Sequence, residues 1–161
     1  MGTRSGDIDP GAMIHLLRMG MSVDDLDTLL NRSSGLKGLC GDNDLREVHR
    51  RAAAGDEVAR SALDVYVHRI RAYLGAYLVE LGGADAVVFT AGVGENDPQV
   101  RAAVCAGLQS LGIEIDETVN SGVRGPLGPV DVATPDSRVR VLVVPTDEEL
   151  EIATSTLATI N

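Results

Sequence analysis

Between residues 56 and 81 the apolar positions Val58, Ala62, Tyr66, Ile70, Tyr73, Tyr77 and Leu81 recur at three- and four-residue steps, with Arg69, Arg71 and Glu80 between them. That period predicts one long amphipathic helix, and Gly82 and Gly83 stop it. Upstream, Asp9 and Pro10 read as an N-cap and first helical position for a short helix carrying Met13, Leu16, Leu17 and Met19 up to Gly20. Ser22 opens a second helix with Val23, Leu26, Leu29 and Leu30 as its stripe. Residues 31–42 are rich in glycine and serine and show little periodicity, which predicts a surface loop. Asn43 then opens a third helix that runs to about Ala54.

Past residue 84 the pattern changes. Ala86, Val87, Val88 and Phe89 form a continuous apolar run, the signature of a strand buried on both faces. Pro98 starts a helix with Val100, Val104, Leu108 and Leu111 on one side, ended by Gly112, and Ile113 and Ile115 suggest a brief strand. Glycines and prolines between 117 and 137 predict an irregular connection with a short edge strand near residues 130–132. Residues 139–144 make a second clear buried strand, and Thr146, at capping-box spacing from Glu149, begins the last helix. The alternation predicts an α/β layer with parallel strands, mainly helical over 1–83 and α/β over 84–161, within one domain. Two clear strands are too few for a stable sheet, so further strands are expected from residues outside this chain or from another molecule.

Composition narrows the picture. The 161 residues are 44% hydrophobic and 24% charged, ordinary globular usage, yet Trp is absent and Phe89 is the sole Phe. An aliphatic core of this kind favours helices on parallel strands. A formal net charge of −10 disfavours binding to nucleic-acid backbones or anionic lipid. A nucleotide ligand stays open, because a few backbone amides, one Arg and a cation can outweigh the mean field locally. No stretch approaches the ~18 apolar residues of a membrane span, and the first residues show no targeting signal. Cys40 and Cys105 have neither CxxC nor metal-ligand spacing and read as small buried thiols in a reducing, cytoplasmic setting.

Three segments could carry chemistry. The turn from Ala91 through Gly92, Val93, Gly94, Glu95, Asn96 and Asp97 to Pro98 lies where α/β sheets bind ligands. It completes neither the dinucleotide fingerprint nor a phosphate loop, so a tight turn set by geometry alone is an equal reading. The opening cluster from Gly2 to Pro10 holds Arg4 among glycines and carboxylates. Its guanidinium could grip a carboxylate or phosphoryl oxygens, or the segment could be a loose terminus before a capped helix. At the third segment, Asp147, Glu148 and Glu149 crowd the start of the last helix, where acids serve as caps or Glu148 could hold hydrated Mg²⁺. His15, His49 and His68 lack HExxH spacing and read as structural.

Taken together and in order, GTRSGDIDPG, NDLREV, FTAGVGENDPQVR and VLVVPTDEELEIA resemble the acetate kinase family over essentially the whole chain. The resemblance implies the ribonuclease-H-like fold of acetate and sugar kinases, heat-shock ATPases and actin, with this chain as most of the second, C-terminal lobe and its sheet incomplete. It implies reversible phosphoryl transfer from ATP to acetate, giving ADP and acetyl phosphate, with Mg²⁺. Arg4 resembles the arginine that stabilises the transferring phosphoryl group. Asp44, Leu45 and Arg46 resemble the border of the adenosine pocket. Gly92, Val93, Gly94, Glu95 and Asn96 resemble the turn that cradles adenosine and ribose, and Glu148 resembles the magnesium-binding glutamate. The family's N-terminal Asn and Ser motif, catalytic aspartate and histidines and HLGNG-type loop have no counterpart here. The expectation is therefore an inactive piece by itself, whose complete form is a homodimer paired through the second lobe. A propionate or butyrate kinase, or a non-catalytic nucleotide-binding or dimerisation module, are the competing readings.

Overall fold

A computed structural model of the chain describes residues 1–160. The fold divides after Ile70 into two units, Met1–Ile70 and the residues from Arg71 onward. The first unit is helical: α1 (Pro10–Arg18), α2 (Val23–Arg32), α3 (Gly35–Cys40), α4 (Leu45–Ala53) and the first part of α5 (Glu57–Glu80). Its caps are those the sequence announces. Asp9 accepts from the Gly11 amide at 2.7 Å, and Ser22 accepts from the Asp25 amide at 3.1 Å. Leu36, Cys40, Val48, Ala52, Ala59 and Ala62 form the core, with Leu45, Leu63 and Tyr66 packed against it.

Residues 31–42 correct the expected loop. α2 continues to Arg32, and α3 follows, burying Leu36 and Cys40 one turn apart. Two glycines in six residues give this helix little intrinsic propensity, so its apolar contacts hold it. The predicted stripe of α5 is buried only in part: Ala62 is buried and Tyr66 packs against the first core. Val58, Tyr73, Tyr77 and Leu81 are exposed, Tyr77 by 60%. Ala59, outside that stripe, is buried as well, since small alanines permit close packing.

The second unit builds a three-stranded sheet in the order β1 (Ala86–Phe89), β3 (Arg140–Val143), β2 (Val130–Asp131). β1 runs parallel to β3 in the register Ala86 to Arg140 and Phe89 to Val143, and β2 runs antiparallel to β3. Between β1 and β2 lie α6 (Ala91–Asn96), α7 (Pro98–Cys105), a single 3-10 turn (Gln109–Leu111) and α8 (Glu117–Gly122); α9 (Glu148–Ile160) follows β3. Cys105, Ile113, Val132, Val139, Val141 and Val143 are the core, joined by Leu74, Leu78, Val87 and Phe89.

Five expectations need correction here. β1 is not buried on both faces: Val88, the register partner of Leu142, is 52% exposed on the uncovered face of an edge strand. The glycine segment after β1 is a short helix rather than an open turn. The connection from 117 to 137 contains α8, whose N-cap Asp116 accepts from the Thr118 and Val119 amides at 2.9 and 3.0 Å. In addition, α9 is capped by Asp147, which accepts from the Leu150 amide at 2.9 Å, and not by Thr146, whose hydroxyl is engaged elsewhere. Ile113 and Ile115 make single bridges to Val139 and Ala133 rather than a strand. No helix among the described residues is long and apolar enough to cross a membrane.

Candidate functional site

The site of the second unit begins where the two parallel strands end. The Val144 amide donates to the Phe89 carbonyl at 2.9 Å, and the Thr90 hydroxyl donates to the Val144 carbonyl at 2.8 Å. These bonds fasten the carboxyl ends of β1 and β3 side by side. The chain then enters α6 through Ala91, which holds a left-handed φ of 58°. For a residue with a Cβ that conformation costs on the order of 1 kcal/mol. Asn96 closes the helix by donating its side-chain amide to the Gly92 carbonyl at 3.0 Å.

Gly94 sits against the strand. A Cβ there would lie 2.9 Å from the Phe89 carbonyl carbon, whereas a Cβ at Gly92 would meet nothing within 4 Å. Gly94→Ala is therefore expected to lower stability by roughly 1–3 kcal/mol, because α6 must lift off β1. Gly92→Ala should be neutral or slightly stabilising, as a helical glycine replaced by alanine. Thermal unfolding of the two variants side by side checks this, and equal melting temperatures would contradict it.

From below, α6 is held by Arg101, which is fully buried at 0% exposure. Its Nη1 donates to the carbonyls of Gly94 at 2.8 Å and Glu95 at 3.2 Å. Its Nη2 donates to the carbonyls of Asn120 at 3.0 Å and Val123 at 2.7 Å, and its Nε donates to the Asn120 side chain at 2.8 Å. The Asn120 amide in turn donates to the Pro98 carbonyl at 2.9 Å. The guanidinium thus sits between the carboxyl ends of two short helices, α6 and α8, whose free carbonyls are partially negative. Burial pushes its pKa down and the neighbouring Asp97 charge pushes it up.

Across from α6, the start of α9 completes a cleft of about 360 Å³ lined by Ala91, Gly92, Thr146, Asp147, Glu148 and Glu149. Two of the residues given a binding role from the sequence, Gly92 and Glu148, therefore face one cavity; Val93, Gly94, Glu95 and Asn96 support its wall without lining it. Glu95 reaches the other wall. Its Oε1 accepts from both the amide and the hydroxyl of Thr146, each at 2.9 Å. The Thr146 amide, and then its hydroxyl, hold the Glu95 carboxyl below its usual pKa. Among the described residues no three His, Cys, Asp or Glu side chains cluster as a metal cage. With Asp147 engaged as the helix cap, the carboxylates of Glu148 and Glu149 at this polar cleft suit a hydrated Mg²⁺ shared with phosphate oxygens, and they do not suit a cation held by protein alone.

The first unit contains Arg4, Asp44, Leu45 and Arg46. Arg4 lies on a loop that is seated rather than loose. The Ser5 amide donates to Leu30, Ser34 to Thr3, Leu36 to Met1 and Lys37 to Gly2, at 2.8–3.1 Å. The contact requires Gly35: its φ is +61°, and a Cβ there would come within 2.5 Å of the Met1 carbonyl oxygen. The Arg4 side chain is exposed. Asp44 is the N-cap of α4 and accepts from the Arg46 amide at 3.0 Å. Arg46 also folds back to donate two-pronged to the same carboxylate, at 2.6 to 3.2 Å. That guanidinium holds the Asp44 carboxyl well below the usual range, at about 2. The Arg46 side chain is 91% exposed, and exposed pairs contribute little to stability. Leu45 is partly buried against the first core.

Ala91, Thr146 and Asp147 fall within the segments singled out in the sequence, though without a binding role of their own; Arg101 and Asn120 carry no such signal as anchors, because a buried cation cannot be told from a surface one by spacing.

Comparison with known proteins places these features in context. The family model for the acetokinase family matches residues 1–154. The chain is 58% identical over 159 residues to the acetate kinase of Streptomyces avermitilis, a match covering 98% of this chain and 39% of that relative. Among solved structures it is similar to acetate kinase from Porphyromonas gingivalis, with a TM-score of 0.90 and 42% identity over 100% of this chain and 40% of the other. It is also similar to a propionate kinase from Francisella tularensis, with a TM-score of 0.85 and 38% identity over 95% of this chain and 38% of the other. The chain thus spans about two-fifths of the length of the relatives it matches.

Proposed function

From the premise that this chain belongs to the acetokinase family, we propose that it supplies the C-terminal lobe of an acetate kinase, which transfers the γ-phosphoryl group of ATP to acetate. The α/β architecture, a small mixed sheet flanked by helices, is that of the family's solved members and of the acetate and sugar kinase, heat-shock ATPase and actin superfamily. The observation that carries the proposal is the cleft that Gly92 and Glu148 line together at the carboxyl ends of two parallel strands, the usual ligand position in α/β sheets.

In this reading a carboxylate oxygen of acetate forms a bond to the γ-phosphorus as the bond to the ADP oxygen breaks, and the reverse step regenerates ATP. Such a transfer asks the protein for positioning and charge neutralisation. Gly92 faces the adenosine, with room for close approach because it has no Cβ, and Val93, Gly94, Glu95 and Asn96 build the helix behind it, so that the segment makes the adenosine wall. Asp44, Leu45 and Arg46 border the adenosine pocket, and Arg4 stabilises the transferring phosphoryl group. Glu148 holds hydrated Mg²⁺, which when bound neutralises phosphate charge. The complete enzyme is proposed to be a cytoplasmic homodimer, a reading supported by the free, buried Cys40 and Cys105 and by the exposed Tyr73 and Tyr77 of α5. Propionate is the competing acceptor, favoured by the similarity to a propionate kinase.

The test is acetyl phosphate formation by the complete protein, with Glu148→Ala alongside. The variant should need about 10- to 100-fold more Mg²⁺ for half-maximal rate while its affinity for Mg²⁺-free ADP stays close to wild type. The 161-residue chain alone should show no useful turnover. A complete protein that makes no acetyl phosphate, or a variant with unchanged Mg²⁺ dependence, would overturn the assignment; a higher kcat/KM for propionate would change the acceptor.

A further inference from the structure

α9 presents an anomaly. It is a 13-residue helix with no buried residue, so packing does not fix its position. Past Val144, the hydrogen bonds that tie this stretch to the rest of its unit, among the described residues, are the two from Thr146 to Glu95; the others lie within the helix and its Asp147 cap. Glu95 in turn is anchored by its own backbone, whose carbonyl accepts from Arg101 Nη1 and from the Gly125 amide, each at 3.2 Å. Its side chain does not line the cleft, while Thr146 does.

We propose that Glu95 is a positioning residue for the cleft: by gripping Thr146, two residues before Glu148, it sets the Glu148 carboxylate against Gly92 and does not itself touch nucleotide. The inference rests on the nucleotide-and-Mg²⁺ reading of this site. Both bonds reach a charged acceptor and are therefore stronger than neutral ones. One donor is the Thr146 backbone amide, so the grip fixes main chain rather than a rotamer. Asp147 then caps α9 from the immobilised residue, and Glu148 is the first residue of the helix. Releasing Thr146 frees the metal-binding wall while the adenosine wall stays held by Arg101.

The experiment is a double-mutant cycle in the complete protein, using Glu95→Ala, Thr146→Val and the pair, with Glu95→Gln as the conservative variant. Three readouts are taken: the Mg²⁺ concentration for half-maximal rate, the calorimetric Kd for Mg²⁺-free ADP, and amide exchange across residues 146–151. Glu95→Ala should raise the Mg²⁺ requirement about tenfold, speed exchange at the start of α9, and leave the ADP Kd within about twofold. Thr146→Val, which loses the hydroxyl but keeps the amide, should have a smaller effect, and the pair should be no worse than Glu95→Ala alone. Glu95→Gln, whose amide oxygen still accepts, should recover most of the loss.

Additive single effects, unchanged exchange at α9, or a tenfold weaker ADP Kd with normal Mg²⁺ dependence would each overturn the role. Failure of the underlying reading looks different. Wild-type protein would then bind no ADP, although Glu95→Ala would still loosen α9, and the functional role would fall with the reading.

Discussion

Arg4→Ala in the complete enzyme should lower kcat by about 10³-fold or more and leave the Kd for ATP within about twofold of wild type, by the logic of arginine fingers in phosphoryl transfer. The loop that carries Arg4 is held by backbone hydrogen bonds from Ser5, Ser34, Leu36 and Lys37 and by the close approach at Gly35. None of these involves the Arg4 side chain, so its removal leaves the loop in place and the loss belongs to chemistry. Arg4→Lys should recover only part of the rate, because an ammonium lacks the paired donors that match two phosphoryl oxygens. Steady-state kinetics together with ATP calorimetry separates the cases. Turnover near wild type for Arg4→Ala would remove Arg4 from the catalytic assignment, and a parallel loss of ATP affinity would recast it as a binding residue.

The seating of that loop shows where sequence reading stops. The caps Asp9 and Ser22 were legible because a single short side chain before an apolar period is a local signal. β3 and the parallel alternation were legible for the same reason. α3 was not, since GLKGLC has neither a long period nor good propensity, and its helix depends on Leu36 and Cys40 meeting residues from α4 and α5. How far the predicted stripe of α5 is buried was equally out of reach: Ala62 and Tyr66 meet the core whereas Tyr73 and Tyr77 do not, which is tertiary information.

For the site, the glycine segment and the acidic helix start were visible as separate motifs, each with a plain structural explanation of equal or greater weight. What the fold adds is their juxtaposition across one cleft. The sequence suggested a Thr146 and Glu149 capping box, a local solution that loses to a distant one. Thr146 takes Glu95, 51 residues away, and Asp147 does the capping. Long-range polar pairs of this kind leave no periodic trace, and they are the contacts that decide which acidic residue faces the ligand.

Arg101→Met should lower stability by about 3–5 kcal/mol, because several buried neutral acceptors lose a charged donor at about 1–3 kcal/mol each before relaxation. In a chain of this size that corresponds to a fall in Tm of roughly 10 °C. Methionine fills much of the volume but donates nothing, so the carbonyls of Gly94 and Val123 and the Asn120 side chain lose the Arg101 donor, while the Glu95 and Asn120 carbonyls keep the amides of Gly125 and Val123. A buried acceptor left without a partner costs on the order of 1–3 kcal/mol; local relaxation and water entry recover part of the sum. Arg101→Lys should rescue little, because one ammonium cannot span the ends of α6 and α8 at once. Since the carboxyl end of α6 is what Arg101 restrains, affinity for Mg²⁺-free ADP should weaken as well, even well below the melting transition. Because Arg101 also anchors the Glu95 backbone, Mg²⁺ dependence should shift too, whereas Glu95→Ala changes Mg²⁺ dependence and leaves the ADP Kd near wild type. A melting temperature within about 2 °C of wild type for Arg101→Met would show that the guanidinium is dispensable to the fold and that α6 is held by its seat on β1 alone.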